Sequence, residues 1–460
     1  MTTLFAVESI DVDLPVLGRR RLEFVDAPHA SSRITVLVGR NGTGKSTILR
    51  ELTMSFRQYF AAKALRSRQG LGRISEIRIV SDQQREILAV ESDATAFRKE
   101  REEIHLRGGG PTRLIALSFT PFDKFPPLDD TTDLGHPEAV KPFYVYLGFK
   151  SDFRMSPRAR LLRSIDALAF ADSTVRSDGR VERAFAAIGY APVIRLGYAF
   201  DSKGSRMSES PVDGARIEML AEQLRAVAGR PPRIQRTSLS YEIDFRHGRR
   251  DASIPIDFEE IRELTRARVL RLNSVTLDRI DGGSVELLEL SSGELNLLSG
   301  FLGLAAFLED GSLVLIDEPE NSLHPEWQLR YVEMLEAVLE QHQGCHYIIA
   351  THSPLIVSGV AERDAKVLRL DQSQIEISSK ALANASPDAT LLNAFKVVTA
   401  NNNFLKQLVL EALALIDTGK HRSQRAKEIA AFLASIYEQV PADDPLRELI
   451  ANVVQSILLP

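Results

Sequence analysis

The run Val38–Thr47, "VGRNGTGKST", fits G-x-x-x-x-G-K-[ST] from Gly39 to Ser46. No other feature restricts the fold of this chain so tightly, because such a loop needs a buried strand before it and a helix after it. Both flanks comply. "RITVLVG" is a short apolar run with the character of a buried parallel strand. "KSTILRELTMSFRQYF" places Ile48, Leu49, Leu52, Phe56 and Tyr59 at helical spacing. Gly39, Gly42 and Gly44 let the backbone curl so that its N–H groups point inward, and the helix adds its positive end. The expected phosphate cradle is therefore Gly39, Arg40, Asn41, Gly42, Thr43, Gly44, Lys45, Ser46 and Thr47. Lys45 reaches the β- and γ-phosphates, and the Ser46 hydroxyl is placed for Mg²⁺.

With 460 residues, the chain exceeds a single small core, and two or three domains are expected. A net charge of -5 excludes a globally basic nucleic-acid binder, so any DNA contact needs a local basic patch. Arg154, Arg158, Arg160 and Arg163 form one candidate cluster; Arg246, Arg249 and Arg250 form another. Both are read first as solvated faces. The single cysteine, Cys345, sits in the apolar stretch "GCHYIIA" and is expected as a small buried hydrophobe. "MTTLFAVESIDVDLP" carries early charges and no long apolar run. Neither a signal peptide nor a membrane span is expected, and a cytoplasmic location is the default.

Texture divides the chain further. Residues 1–150 hold the loop and a second apolar strand, "RLIALSFTPFDKF", read over Arg113 to Phe125. Residues 151–281 are rich in arginine and read as a helical insertion, with "RARLLRSIDALAFA" and "ARIEMLAEQLRAVAG" as its helices. Apolar strands return over 282–380, closing with "AKVLRL" and "QIEIS" as a hairpin. Residues 381–460 are helical, and Phe404, Leu408, Ala412 and Leu415 form one apolar face that reads first as packing.

Three further motifs follow in order. "LVLIDEP" ends a strand with Asp317, suited to hold Mg²⁺, and Glu318, suited to polarise an attacking water. "LSSGE" precedes that pair by about two dozen residues; its serines and Gly293 lie at a helix start that suits an anion, and alone it reads as an N-cap. "ATHSP" places His352 after the strand "YIIA". Together these resemble the ABC ATPase class. The resemblance implies an α/β fold: an ABC-type P-loop ATPase head, a mixed sheet with flanking helices, carrying a helical insertion and a C-terminal helical region. It implies that Ser291 and Gly293 contact the γ-phosphate of ATP bound on an opposite protomer, with Ser292 between them counted in the same nucleotide-binding set. It also implies that His352 senses that phosphate and that "ENSLHP" is the loop reaching across a head-to-tail dimer. Glu318 and His352 are then the catalytic pair, and Ser46 and Asp317 the Mg²⁺ ligands. The family's glutamine after the second strand is missing; Ser118, Thr120 and Asp123 stand as candidates for its role.

"SLHP" resembles RecF/SMC-like and defence ATPases rather than transporters. "SFTPFDKFP", "YVYLGFKSDF" and "SPDATLLNAFKV" resemble the PtuA ATPases of Septu and some retron anti-phage systems. That resemblance implies an HNH nuclease partner of the PtuB type, with no nuclease activity in this chain, since no D-x-D pair of the OLD type follows Pro354. The alternative is a RecF/SMC-like DNA-maintenance clamp without a nuclease partner.

Overall fold

The structure is a computed structural model. It describes residues 4–14, 18–25, 33–61, 73–81, 84–89, 110–120, 122–127, 142–148, 161–162, 164–165, 168, 179–200, 211–228, 238–246, 249–250, 258–360, 365–370, 376–378, 387–395, 398, 402–442 and 444–458. In chain order the strands are β1 (Phe5–Leu14), β2 (Gly18–Glu23), β3 (Arg33–Val38), β4 (Ile74–Ser81), β5 (Gln84–Ala89), β6 (Leu114–Ser118), β7 (Tyr144–Leu147), β8 (Tyr190–Phe200), β9 (Ser238–Asp244), β10 (Arg249–Arg250), β11 (Leu270–Arg279), β12 (Ser284–Glu286), β13 (Leu313–Asp317), β14 (His346–Thr351), β15 (Ala365–Arg369) and β16 (Glu376–Ser378). The helices are α1 (Lys45–Ala61), α2 (Arg180–Ile188), α3 (Pro211–Ala228), α4 (Phe258–Arg266), α5 (Ser292–Phe307), α6 (Pro325–Leu339), α7 (Pro354–Val360), α8 (Pro387–Phe395), α9 (Asn403–Asp417), α10 (Gln424–Ile436) and α11 (Leu446–Leu458).

The chain divides into two compact units. One comprises 1–146, 309–332 and 342–460. Its main sheet has the order β16-β15-β3-β14-β13-β6-β7. β3, β13, β14 and β6 are buried along their whole length, as near-continuous apolar strands covered on both faces must be. They run parallel, and the registers pair Asp317 with Ser118 and Thr351 with Val38. The carboxyl ends of four strands therefore meet at one edge, where open α/β sheets place their ligands. β6 ends at Ser118, short of the Phe125 expected, and residues 119–120 and 122–127 are not strand. β15 and β16 form the expected hairpin.

A four-stranded antiparallel sheet, β2-β1-β4-β5, shares this unit's core. α1 contributes Ile48, Leu49, Leu52 and Phe56 to that core, and Phe56 meets Phe5 edge-on at 5.9 Å. His346 is fully buried within it. Its Nδ1 accepts from the Val7 N–H at 3.1 Å, so Nε2 carries the proton and donates to Thr35 Oγ1 at 3.0 Å. The Thr35 hydroxyl donates onward to the Phe24 carbonyl. Burial, with Arg33 nearby, pushes the His346 pKa down to about 3. The folded value lies below the unfolded one, so the unfolded chain binds the extra proton. Stability present above the unfolded pKa is lost as pH falls through the interval toward the folded value. Between pH 7.5 and 5 this one group removes about 2 kcal/mol. Urea midpoints at the two pH values should show the drop, and His346→Gln should flatten it.

The C-terminal helices of this unit build a core of their own from Leu405, Leu408, Val409, Ala412, Ile429, Leu433, Ile436, Ile450 and Val453. Phe404 and Leu415 are partly buried against it, so the apolar face noted in the sequence is spent on packing. Cys345 is buried and free, as expected.

The second unit comprises 147–308 and 333–341. The insertion is not helical throughout, which corrects the sequence reading. Among the described residues it holds an antiparallel sheet, β10-β9-β8-β11-β12, beside α2, α3 and α4. Charges that pair across strands hide this sheet in the sequence. Arg195 forks onto Asp278 and also reaches Glu242 at 2.8 Å, so the outward positions of β8, β9 and β11 carry charges that in sequence resemble a helix surface. The inward positions Ile194, Leu196, Tyr241, Val275 and Leu277 are buried. The unit also takes in the "LSSGE" motif and α5. Arg154, Arg158, Arg160, Arg163 and most of "RARLLRSIDALAFA" lie outside the described residues. Arg246 is committed to Asp244, with a guanidinium contact of 2.9 Å. Among the described residues, no helix is long and apolar enough to cross a membrane.

Candidate nucleotide site

The loop between β3 and α1 curls as its glycines require. A Cβ on Gly39 would stand 2.9 Å from both the Leu370 carbonyl and Thr43 Oγ1, and Gly42 has φ 82°. Arg40, Asn41 and Gly42 are exposed at the tip, while Thr43 and Lys45 are buried. Thr43 Oγ1 donates to the Arg40 carbonyl at 2.9 Å and closes the turn.

Lys45 Nζ lies within the curl. It donates to the carbonyls of Gly39 at 2.9 Å and Arg40 at 3.2 Å, and to His352 Nδ1 at 3.2 Å. An ammonium has no acceptor, so Nδ1 is the accepting nitrogen and the Nε2 side of the ring faces Glu318. His352 Nε2 stands 3.6 Å from Glu318 Oε1, longer than a hydrogen bond. The three side chains thus form one line from the loop to the acid. His352 beside Glu318 holds that carboxyl below its usual range, helped by Asn321 Nδ2 donating to Oε2 at 3.1 Å and by Lys45. Burial pushes the Lys45 pKa down to about 8, against the pull of Glu318, Glu320 and Asp317.

Glu318 has a left-handed backbone, φ 49°, uncommon for a residue with a side chain. Its N–H donates to the Ala350 carbonyl at 2.9 Å, and its own carbonyl accepts from Asn321 N at 3.2 Å. The turn after β13 is locked on both sides, and such conformations persist where surrounding structure over-determines them.

Asp317 is buried, and Ser46 Oγ donates to its Oδ1 at 3.0 Å. Burial pushes its pKa up to about 7; Ser46 opposes the shift, while Glu318, Asp123 and Glu320 reinforce it. A buried carboxylate among other acids, joined to a hydroxyl beside a phosphate-binding loop, fits a hard divalent cation.

Four positions escaped the sequence reading. Glu320 accepts from the Thr351 hydroxyl at 2.8 Å and from the His352 N–H, and so fixes the backbone that carries the histidine. Asn321 braces Glu318. Tyr146 donates to Asp123 Oδ2 at 2.6 Å, and Lys124 Nζ donates to Thr47 Oγ1 at 3.0 Å. Asp123 is 2% exposed, and of the three candidates for the missing glutamine it is the one whose charge reaches Asp317. Glu320 and Asn321 lie inside "ENSLHP", Tyr146 inside "YVYLGFKSDF" and Lys124 inside "SFTPFDKFP", but none of them carried a role of its own in the sequence reading.

Ser291, Ser292 and Gly293 belong to the other unit and are not among the groups gathered here. Ser291 caps α5: its Oγ accepts from the Glu294 N–H at 3.2 Å, and Glu294 Oε2 accepts from the Ser291 N–H at 2.9 Å. Both serines are exposed. The capping box expected of the bare motif is thus present.

The family model described as "AAA domain, putative AbiEii toxin, Type IV TA system" matches residues 34–358, a span that takes in every residue of this site. The chain belongs to that AAA-domain family. Among curated members of the neighbourhood, the retron Ec83 probable ATPase of Escherichia coli is 28% identical over 204 residues, covering 41% of this chain and 36% of that protein. The retron Vc95 probable ATPase of Vibrio cholerae serotype O1 biovar El Tor is 23% identical over 189 residues, covering 37% and 35%. The match therefore spans little more than a third of these relatives' length. Protein ea59 of phage lambda is 39% identical over 84 residues, 18% of this chain and 16% of that protein. Among solved structures, an SMC head bound to the C-winged helix domain of ScpA overlaps 81% of this chain and 97% of its own at 12% identity and TM-score 0.34. A putative metal-chelate type ABC transporter overlaps 86% and 90% at 12% identity and TM-score 0.32. Superpositions this loose add nothing to the topology, which defines the P-loop ATPase fold by its own strand order and loop.

Proposed function

We propose that the chain is an ATPase of ABC type whose ATP-bound heads pair head-to-tail, and that it regulates an associated HNH nuclease in anti-phage defence in the cytoplasm. The observation that carries the catalytic part is the line Lys45–His352–Glu318 beside the Ser46–Asp317 pair, at the carboxyl edge of the sheet. A triphosphate on the loop takes the Lys45 ammonium from the carbonyls of Gly39 and Arg40, which hold it in its absence. Ser46 and Asp317 would hold Mg²⁺, which neutralises charge on the phosphates. Glu318, kept ionised by His352 and Asn321, accepts a proton from the attacking water. His352, released from Lys45, faces the terminal phosphate and reports its presence.

Pairing is supported by the exposure of Ser291 and Ser292 at the start of α5. A γ-phosphate touching the loop of one copy and Ser291 of another joins the two, and hydrolysis removes the join. The defence role is supported by the names of the two retron relatives and by the resemblance to PtuA. The DNA-clamp alternative loses support at Arg246, whose charge is spent on Asp244.

The test is co-expression with the reading frame beside this one. The expected result is a complex that copurifies with an HNH nuclease and releases phosphate from ATP with Mg²⁺. Salt-sensitive DNA binding by this chain alone, with no nuclease bound, would favour the clamp.

A further inference from the structure

The capping box of α5 is complete with two residues, yet Glu294 does more than cap. Its Oε2 serves Ser291. Its Oε1 accepts from the Tyr190 hydroxyl at 2.8 Å and from Arg279 Nη2 at 3.4 Å, the tyrosine lying 104 residues away in sequence. Helix capping does not require either group.

Tyr190 and Arg279 are themselves neighbours. Tyr190 opens β8, Arg279 closes β11, and the antiparallel register pairs them directly. The Arg279 guanidinium lies 5.6 Å from the centre of the Tyr190 ring. The Ile280 N–H donates to the Gly189 carbonyl at 3.0 Å and seals the end of the ladder. Tyr190 is 1% exposed, so its ring is fixed by packing and its hydroxyl has one direction to point. Burial alone would raise the Glu294 carboxyl; the Ser291 N–H and the Tyr190 hydroxyl outweigh it and hold the group below its usual range. The acceptor is thus charged, and the bonds to it are of the stronger kind.

We propose that Tyr190 and Arg279 are positioning residues that clasp Glu294, fixing the aim of Ser291 toward the nucleotide of a second copy and tying that aim to the insertion's antiparallel sheet. The proposal rests on the two-chain reading of the site above. Without the clasp, α5 keeps its cap and its helix but can pivot at its first turn. The exposed Ser291 then meets a γ-phosphate in a spread of orientations. Binding of nucleotide by a chain's own loop is expected to be unchanged, because the hydrogen bonds of Thr43, Lys45 and Ser46 involve none of Tyr190, Arg279 and Glu294.

The test separates these steps. Dimerisation by ATP is followed by light scattering in a Glu318→Gln background, and own-loop affinity by titration with a fluorescent ADP, which lacks the bridging phosphate. Adding Tyr190→Phe removes one hydroxyl and should weaken ATP-driven dimerisation about tenfold, with ADP affinity within about twofold of the parent. Glu294→Gln retains a side chain suited to the capping box but loses the charge that Arg279 seeks, and should shift dimerisation in the same direction. Dimerisation at the parent's midpoint in both variants would overturn the clasp. So would a fall in ADP affinity in step with dimerisation, since that marks general disruption rather than aim. If the Glu318→Gln parent itself stays monomeric with ATP, the two-chain reading fails and takes the proposal with it.

Discussion

Replacing Glu318 by glutamine slows ATP hydrolysis by a factor on the order of 10² to 10⁴, while nucleotide still binds and ATP-bound dimers accumulate. The geometry makes this a clean exchange. Glutamine matches the acid in shape, and its amide oxygen can still accept from Asn321 Nδ2, which now meets Oε2 at 3.1 Å. The left-handed turn is unaltered, because both residues carry a Cβ. What is lost is the basic oxygen facing His352 Nε2. Phosphate release under single-turnover conditions reads the rate, and light scattering with ATP reads the dimer. A wild-type rate would move the base elsewhere, with Glu320 and Asp123 the nearby carboxylates to try next.

Lys45→Ala should have its effect earlier, on binding. The ammonium is the cation that the loop itself carries inward, and losing charged hydrogen bonds to phosphate should weaken nucleotide affinity about 100-fold. The variant also leaves Asp317, Glu318 and Glu320 without their positive neighbour. A pH experiment on the unaltered chain tests the same group without mutation. Burial lowers the Lys45 pKa to about 8, and a bound phosphate favours the charged form. The free protein therefore loses this proton more readily than the complex, and binding takes up protons above pH 8. Affinity for ADP without metal should fall up to roughly tenfold between pH 7 and 9. An affinity independent of pH over that range would show that Lys45 does not carry the charge that phosphate meets.

The phosphate cradle and the acid pair were legible because each is written in consecutive residues whose flanks declare their own structure. "ITVLV", "LVLI" and "YIIA" are short, largely apolar runs of strand length, and each is followed within two residues by groups of the site. What the sequence hid was carried by contacts between distant residues. Tyr146 holds the Asp123 carboxylate, and "SFTPFDKF" offered Asp123 only as one of three candidates, with nothing to single it out. The insertion's sheet was missed for the opposite reason. Arg195, Glu242 and Asp278 pair across strands, but along the chain they look like the charged side of helices. The "LSSGE" motif lay between these cases. Its cap could be read locally, whereas its attachment to β8 and β11 could not.

The backbone at Glu318 has a consequence for how this chain responds to selection. A left-handed residue with a side chain costs roughly 1 kcal/mol or more, and glycine at that position is free of the cost. A screen that rewards heat tolerance alone would therefore find Glu318→Gly attractive and would discard hydrolysis in accepting it. Position 318 is one where durability and turnover pull in opposite directions, so a thermostabilised version of this protein should be built with that codon held fixed.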